Sequence, residues 1–131
     1  MALVVDASVA VEYLLRTGLG RHVARRIEQQ ELLAPELLDA EVLAVLRRAW
    51  LAGKVTSARA EAALEDLVAW ELRRIPHGLL VRGAWEFRRN VSGYDALYLE
   101  TARLFGAPVL TADGPLARAP RLGVVVENVR A

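Results

Sequence analysis

The stretch MALVVDASVA, residues 1–10, holds five consecutive apolar residues, Met1 to Val5, directly before Asp6. Residues 3–5 are short, apolar and partly β-branched, which is typical of a strand buried on both faces of a parallel sheet. Ser8 belongs to the residue types that cap helices, so we predict a helix from there to about Leu15. A strand that passes directly into a helix is the repeating unit of α/β folds.

The same alternation of short strands and longer helices continues along the chain. Gly18 and Gly20 are expected to end the first helix, and Gly53 and Gly106 to stop two later ones. The pattern predicts one parallel sheet with helices on both faces, a three-layer α/β/α fold that binds ligands beyond the carboxyl ends of its strands. Strands are predicted at residues 3–5, 32–34, 73–75, 109–111 and 124–127, and helices at residues 8–15, 21–30, 36–52, 57–71, 79–89 and 92–105.

Composition excludes several classes of protein. A chain of 131 residues fits a single domain with its own core, and 54% apolar residues exclude a disordered chain. The 17 basic residues nearly balance 16 acidic ones, which excludes a charged tail protein. With no cysteine and two histidines, thiol nucleophiles, iron–sulfur clusters and histidine-rich metal sites are poor fits. Neither a secretory signal nor a membrane span is recognisable, so a cytoplasmic protein is expected.

Two aspartates lie just after predicted strands. Asp6 comes after the first strand, and Asp113 comes two residues after the strand at 109–111. Both positions lie where an open α/β sheet places its functional groups. Each aspartate, taken singly, is equally compatible with a turn or a helix cap, which are common roles for this residue.

Glu41 is the more informative acid, because it falls on the wrong face of its predicted helix. At about 100° per residue it lies beside the apolar residues of that helix and away from Glu36 and Asp39, which mark the solvent side. A carboxylate on an apolar face must be paired, neutralised or bound to metal. Pairing with Arg48, two turns away, would have to span about 10 Å, so a functional role is favoured. Asp39, by contrast, is predicted to be an ordinary solvated acid.

Asp95 lies near the start of the helix at 92–105, on a stripe with Leu99 and away from the charged face marked by Glu100 and Arg103. It could simply complement the helix dipole. If it converges with the other three acids, however, each pair of carboxylates about 4 Å apart repels by about 4 kcal/mol. A cluster of four survives only through protonation or a divalent cation, and an all-oxygen site suits Mg²⁺ or Mn²⁺.

Four ordered motifs of this chain resemble those of PIN domains. The first is Val4-Val5-Asp6-Ala7-Ser8-Val9 and the second is Pro35-Glu36-Leu37-Leu38-Asp39-Ala40-Glu41-Val42. The third and fourth are Tyr94-Asp95-Ala96-Leu97-Tyr98 and Thr111-Ala112-Asp113. The spacing and length are also similar to those of VapC-type toxins of bacterial and archaeal toxin–antitoxin pairs, and the resemblance covers essentially the whole chain.

The resemblance implies a metal-dependent endoribonuclease, with residues 1–131 forming a single PIN domain whose strand order is 3-2-1-4-5. Asp6, Glu41, Asp95 and Asp113 would form the catalytic metal site for Mg²⁺ or Mn²⁺. Ser8 and Thr111 would orient these carboxylates. The family also implies a homodimer that a small VapB-like antitoxin holds inactive. The sequence departs from the family in having Gly114-Pro115-Leu116 where many members carry a further polar or acidic residue, which puts a second metal in doubt.

An RNA substrate requires cations, and Arg16, Arg88 and Arg89 are candidates because their segments are predicted to flank the site. Each could equally be a solvated residue of a helix surface. Three tryptophans could stack on bases, although tryptophan on an apolar helix face more often packs in a core or an interface. The generous apolar content suggests a dimer face and an antitoxin groove.

Other functions remain open at this point. A PIN scaffold that binds nucleic acid or a protein partner without cutting is the main alternative, and a DNA-directed PIN protein is another. A receiver domain also gathers acids at strand ends, but it needs a lysine after a late strand. The single lysine, Lys54, lies near a helix end and does not satisfy that requirement.

Overall fold

The computed structural model describes residues 1–120 and 123–130 and has a five-stranded parallel sheet at its centre. The β-branched and leucine-rich runs form the strands, and the amphipathic segments between them form helices. The strands are β1 (Ala2–Val5), β2 (Glu31–Pro35), β3 (Arg73–Ile75), β4 (Val109–Thr111) and β5 (Val126–Asn128). The helices are α1 (Ala7–Leu14), α2 (Gly18–Glu28), α3 (Leu37–Leu51), α4 (Ser57–Ala69), α5 (Val81–Ala84), α6 (Gly93–Phe105) and α7 (Gly114–Arg118), with 3-10 turns at His77–Leu79 and Trp85–Phe87.

The strand order is β3-β2-β1-β4-β5, which confirms the predicted topology. In the sheet β1 is central, pairing Leu3 with Leu32 of β2 and Val4 with Val109 of β4. Because neighbouring parallel strands end at the same edge, the segments that follow β1, β2 and β4 meet there. This is the edge that carries the predicted acids.

The helices form two groups on the sheet, as the three-layer prediction requires. Helix α6 packs on β1, β2 and β4 and contacts α5, whereas α1 contacts α2, α3 and α4. Buried apolar residues from all strands and most helices belong to one continuous core. Fully buried examples are Val4, Leu33, Phe87, Leu99 and Leu110.

Several predicted elements differ from the structure. The helix predicted at 79–89 is instead a 3-10 turn, the four-residue helix α5 and a second 3-10 turn. Gly83 lowers helix propensity there, and packing of this segment on α6 determines its path. The last strand is Val126–Asn128 rather than 124–127. Helix α7 was not predicted, although Pro115 in its first turn is typical of a helix start.

The residues that cap α1 and begin α2 also differ from the prediction. The cap of α1 is Asp6, whose Oδ1 accepts the N–H of Val9, and not Ser8, which lies inside the first turn. Thr17 caps α2, so Gly18 begins a helix rather than merely ending one. Gly20 is buried against α1, where a Cβ would overlap the backbone carbonyl of Glu12. Its function is therefore to allow close approach of the two helices.

We expect Gly20→Ala to lower the free energy of unfolding by about 1–3 kcal/mol, because the added methyl group has no room beside a backbone carbonyl. Urea denaturation would measure the change. Gly18→Ala in the same helix is the matched control, since nothing lies within 4 Å of its Cβ position. Equal stability of the two variants would contradict the close approach.

Candidate functional site

The four predicted acids come from four elements at the carboxyl edge of the sheet. Asp6 follows β1, Asp113 follows β4, Glu41 lies in the second turn of α3, and Asp95 lies in the first turn of α6. The negative charge of Asp113 contributes to raising the pKa of Asp6. The charges of Asp113 and Glu41 contribute to raising the pKa of Asp95. Residues spread over more than 100 positions of sequence are therefore electrostatic neighbours.

Asp6 is the most deeply placed of these acids, with 6% of its surface exposed. Burial raises its pKa to about 6, and the charge of Asp113 adds to that effect. Hydrogen bonds from Ser8, Thr111 and the Val9 N–H oppose the shift, because they stabilise the carboxylate form. Asp6 is thus an acid that the fold holds in an unfavourable place for a negative charge.

Ser8 and Thr111 surround Asp6 with hydroxyl groups. The Ser8 hydroxyl donates to Asp6 Oδ1 at 2.6 Å, and the Thr111 hydroxyl donates to Asp6 Oδ2 at 2.5 Å. Each hydroxyl oxygen also accepts a backbone N–H, from Ala112 at 2.8 Å and from Asp113 at 2.9 Å respectively. The start of α1 and the end of β4 are joined by this network, which fixes the rotamer of Asp6.

Glu41 is bonded by a tyrosine from another helix. The hydroxyl of Tyr98, on α6, donates to Glu41 Oε1 at 2.6 Å. Burial raises the pKa of Tyr98 well above its usual range, and its bond to Glu41 and the charges of Glu41, Asp6 and Asp95 act in the same direction. Arg48 is exposed and forms no ion pair with Glu41 in the part of the chain that the structure describes.

Asp95 and Asp113 complete the group at the mouth of the site. Asp95 is half-buried, and burial is the largest cause of its raised pKa, ahead of the charges of Asp113 and Glu41. The hydroxyl oxygen of Ser92, which caps α6, accepts the N–H of Asp95 at 3.1 Å, and the Ser92 hydroxyl also acts on the Asp95 carboxylate to lower its pKa, against the effect of burial. Helix α6 therefore presents Asp95 in a fixed backbone position while its carboxylate stays accessible.

These acids are not arranged as a ready-made metal site. Within residues 1–120 and 123–130, no three acidic or histidine side chains lie close enough to hold an ion. Hydroxyl donors engage both oxygens of Asp6 and one oxygen of Glu41, and each carboxylate keeps further lone pairs with which it could bind a cation in this orientation. The chemistry of the donor set fits a hard divalent cation, because every donor is a carboxylate; burial raises the pKa values of Asp6 and Asp95, and the charges of neighbouring acids add to that effect.

Two further acids behave differently from the sequence expectation. Asp39 is not a free solvated acid, because Arg74 of β3 donates to both of its oxygens, at 2.8 and 3.0 Å. Glu100 is buried rather than exposed, with 6% of its surface accessible, and it pairs with Arg103 at 2.6 Å. These contacts anchor α3 to β3 and α6 to the segment around Gly83, so they support the site without belonging to it.

The three arginines predicted to contact RNA are spread over the surface. Arg16 lies beyond the end of α1, about 12 Å or more along that helix from Asp6, and pairs with Asp66 at 3.7 Å. Arg88 lies over the Trp85 ring, with its guanidinium carbon 5.0 Å from the ring centre. Arg89 is exposed. Arg88 and Arg89 precede the helix that carries Asp95, whereas Arg16 is remote from the acids.

The structure places two residues at this edge that were not predicted to belong to the site, Tyr98 and Arg130. The position of Tyr98 one turn after Asp95 on the same helix was the available signal. Arg130 follows β5, and its Nε donates to the carbonyl of Ala112 at 3.1 Å, beside Asp113. No local pattern of the sequence indicated Arg130, because its partner belongs to a different strand end.

The fold and these residues define a class of α/β domain with acids at the carboxyl ends of a 3-2-1-4-5 sheet. The PIN-domain family model matches residues 3–122, and the chain belongs to that family, among its VapC-type members. Ribonuclease VapC1 of Mycobacterium tuberculosis is 40% identical over 129 residues, 97% of each chain. Ribonuclease VapC3 of the same species is 44% identical over 122 residues, 88% of this chain and 85% of that one.

Solved structures share the fold. PAE2754 from Pyrobaculum aerophilum has a TM-score of 0.68 at 23% identity and covers 96% of this chain and 83% of its own. The VapBC2 complex from Rickettsia felis, bound to a DNA fragment from its promoter, matches with a TM-score of 0.63 at 14% identity over 98% of both chains. Among the described residues no helix is long and apolar enough to span a lipid bilayer.

Proposed function

We propose that this chain is a metal-dependent endoribonuclease and the toxin component of a toxin–antitoxin pair. The observation that carries the proposal is that acids from β1, α3, α6 and β4 influence one another electrostatically at one edge of the sheet. Relatives named Ribonuclease VapC support RNA as the substrate. The VapBC2 complex supports a VapB-like antitoxin as the partner.

In this proposal Asp6, Glu41, Asp95 and Asp113 hold Mg²⁺ or Mn²⁺. Such an ion, when bound, supplies a water of lowered pKa as nucleophile and offsets the charge of the phosphate. Ser8 and Thr111 fix the orientation of Asp6. The expected cleavage products carry 5′-phosphate and 3′-hydroxyl ends.

Histidine is not needed as a base in this arrangement. His77 Nε2 accepts the N–H of Leu37 at 2.9 Å at the start of α3, so its acceptor nitrogen is already used. His22 is exposed on α2. The carboxylates and their cation therefore carry the proposed chemistry.

Substrate binding is assigned to cations near this edge. Arg88 and Arg89 lie before α6, and Arg130 lies beside Asp113 through its bond to Ala112. Neutralising phosphates in this way makes RNA affinity fall steeply with salt concentration.

The partners in the proposal are a second copy of the chain, forming a homodimer, and the antitoxin, all in the cytoplasm. Exposed large apolar side chains support such contacts, because monomeric proteins rarely leave them grouped. One group borders a groove that begins beside Asp95 and another lies along α3. Their exposed members are Val81, Trp85 and Tyr94 in the first group, and Leu43, Trp50 and Leu51 in the second.

Removal of divalent cations is expected to abolish RNA cleavage by the purified protein, because the cation would supply the nucleophilic water as well as charge that offsets the phosphate. The measurement is cleavage of a labelled RNA pool with Mg²⁺, with Mn²⁺, and after chelation followed by re-addition. Cleavage that persists at full rate in excess chelator would contradict the proposed chemistry.

The second candidate is a PIN scaffold that binds RNA or a protein without cutting. The observation in its favour is that no three acids of the described residues form a ready-made metal site. Salt-dependent RNA binding with no cleavage in either Mg²⁺ or Mn²⁺ would identify the chain as such a scaffold.

A further inference from the structure

Tyr98 is buried in the middle of the acidic site, with 1% of its surface exposed. It lies on α6 one turn after Asp95, so the two residues share a face of the helix. Its ring stays in the core while its hydroxyl reaches Glu41 Oε1 at 2.6 Å. Within residues 1–120 and 123–130, this is the one side-chain hydrogen bond that joins α3 to α6.

Three of the four predicted acids act electrostatically on Tyr98. The charges of Glu41, Asp6 and Asp95 all act on its hydroxyl, although these acids come from three different elements. A hydroxyl at this point is a neutral donor among carboxylates, and it can stabilise one of them without adding a charge. The hydroxyls of Ser8 and Thr111 donate hydrogen bonds to Asp6 in the same way. A serine or threonine at position 98 would be too short to reach from α6 to α3.

We propose that Tyr98 is a positioning residue for the metal site, which holds the Glu41 carboxylate facing the other acids so that it can take part in binding a divalent cation. The inference rests on the proposed function, because it assigns a role toward the same ion. Tyr98 itself does not ligate the ion. It acts through the orientation of Glu41.

The geometry explains why such a residue is required. Glu41 has three rotatable side-chain bonds and is half-exposed, so repulsion from Asp95 would turn a free carboxylate toward solvent. The Tyr98 bond engages Oε1 only and leaves Oε2 for a ligand. Residues that orient metal ligands in this way change metal affinity by about 10–100-fold when they are removed.

We expect Tyr98→Phe to raise the dissociation constant for Mn²⁺ about 10-fold or more, measured by calorimetry or by the Mn²⁺ paramagnetic resonance signal. The matched control is Tyr13→Phe, since Tyr13 also donates to a glutamate, Glu28, at 2.8 Å, but on the face formed by α1 and α2. Thermal unfolding of each metal-free variant separates lost affinity from lost structure. Unchanged Mn²⁺ affinity in folded Tyr98→Phe would overturn the inference.

A double-mutant cycle tests whether Tyr98 acts through Glu41. In a Glu41→Gln background, Tyr98→Phe is expected to change Mn²⁺ affinity less than about twofold, because its partner has already lost its charge. Equal weakening in both backgrounds would overturn the positioning role. If the wild-type protein does not bind Mn²⁺ at all, the proposed function fails together with this inference, whereas normal binding and cleavage by Tyr98→Phe defeat the inference alone.

A measurement on the wild-type protein covers the case in which Tyr98→Phe does not fold. The chain has three tyrosines, so ¹³C labelling of their phenol carbons gives three signals. Titration with Mg²⁺ is expected to shift the Tyr98 signal, because its carboxylate acceptor gains a cation, and to leave the Tyr13 signal in place. A Tyr98 signal that does not move while Mg²⁺ binds would contradict the inference.

Discussion

Asp6→Asn is expected to abolish RNA cleavage, with a loss of more than about 100-fold, since even residues that only orient metal ligands cost about 10–100-fold. The variant is expected to keep the fold. The asparagine carbonyl can accept the bonds from Ser8 and Val9 that Asp6 Oδ1 accepts now, and its amide can donate to the Thr111 hydroxyl oxygen. The substitution therefore removes only the negative charge at the most buried position of the site.

Asp39→Asn is the matched control for this experiment. Asp39 belongs to the same motif as Glu41, but its carboxylate is bound to Arg74 rather than facing the other acids. We expect its variant to retain cleavage and to lose a little stability from the weakened pair. Full activity of Asp6→Asn in Mg²⁺ would refute the proposed metal chemistry.

In the absence of divalent cations, the free energy of unfolding is expected to fall as pH rises from about 4 to about 6. The pKa of Asp6 is about 6 in the folded protein against 3.8 for an ordinary aspartate. The folded state therefore binds more protons than the unfolded state in this interval, and stability decreases with pH. A difference of about two pH units corresponds to about 3 kcal/mol at neutral pH.

Comparing the wild type with Asp6→Asn separates the contribution of Asp6 from those of other titrating groups. The lowered pKa values of Glu86 and Glu127, for example, make the free energy of unfolding rise with pH. Urea denaturation in chelator at pH 4, 5, 6 and 7 is the measurement. The variant should be more stable than the wild type at pH 7, by up to about 3 kcal/mol, and similar to it at pH 4. A stability difference independent of pH would show that burial does not raise the pKa of Asp6.

Much of the fold could be predicted because its signals are local. The apolar run before Asp6 and the cap at Ser92 with the stop at Gly106 lie within a few residues of the elements they define, and the structure confirms a strand and a helix there. The prediction of a helix at residues 79–89 was wrong because the conformation of this segment depends on contacts that are not local. Its helical pattern was overridden by packing on α6, which includes the hydrogen bond from Arg103 to the Gly83 carbonyl across 20 positions of sequence.

In the candidate site too, the features that depend on local spacing could be predicted, and those that depend on distant residues could not. The placement of Glu41 on the apolar side of α3 was visible from helical periodicity, and its electrostatic contact with Asp95 agrees with that placement. Its hydrogen-bond partner was not visible, because Tyr98 is 57 positions away. Asp39 was misjudged in the same way, since Arg74 reaches it from 35 positions further along the chain.

The alternation of strands and helices and the positions of the acids relative to strand ends could be derived from the amino-acid sequence, because both depend on spacing along the backbone. The tertiary structure alone decided which donor meets each carboxylate and how deeply each is buried. Those properties arise where β1, α3, α6 and β4 come together, and the side chains that meet there are far apart in the chain. The burial of Asp6 and the bond between Tyr98 and Glu41 are therefore consequences of the sheet order.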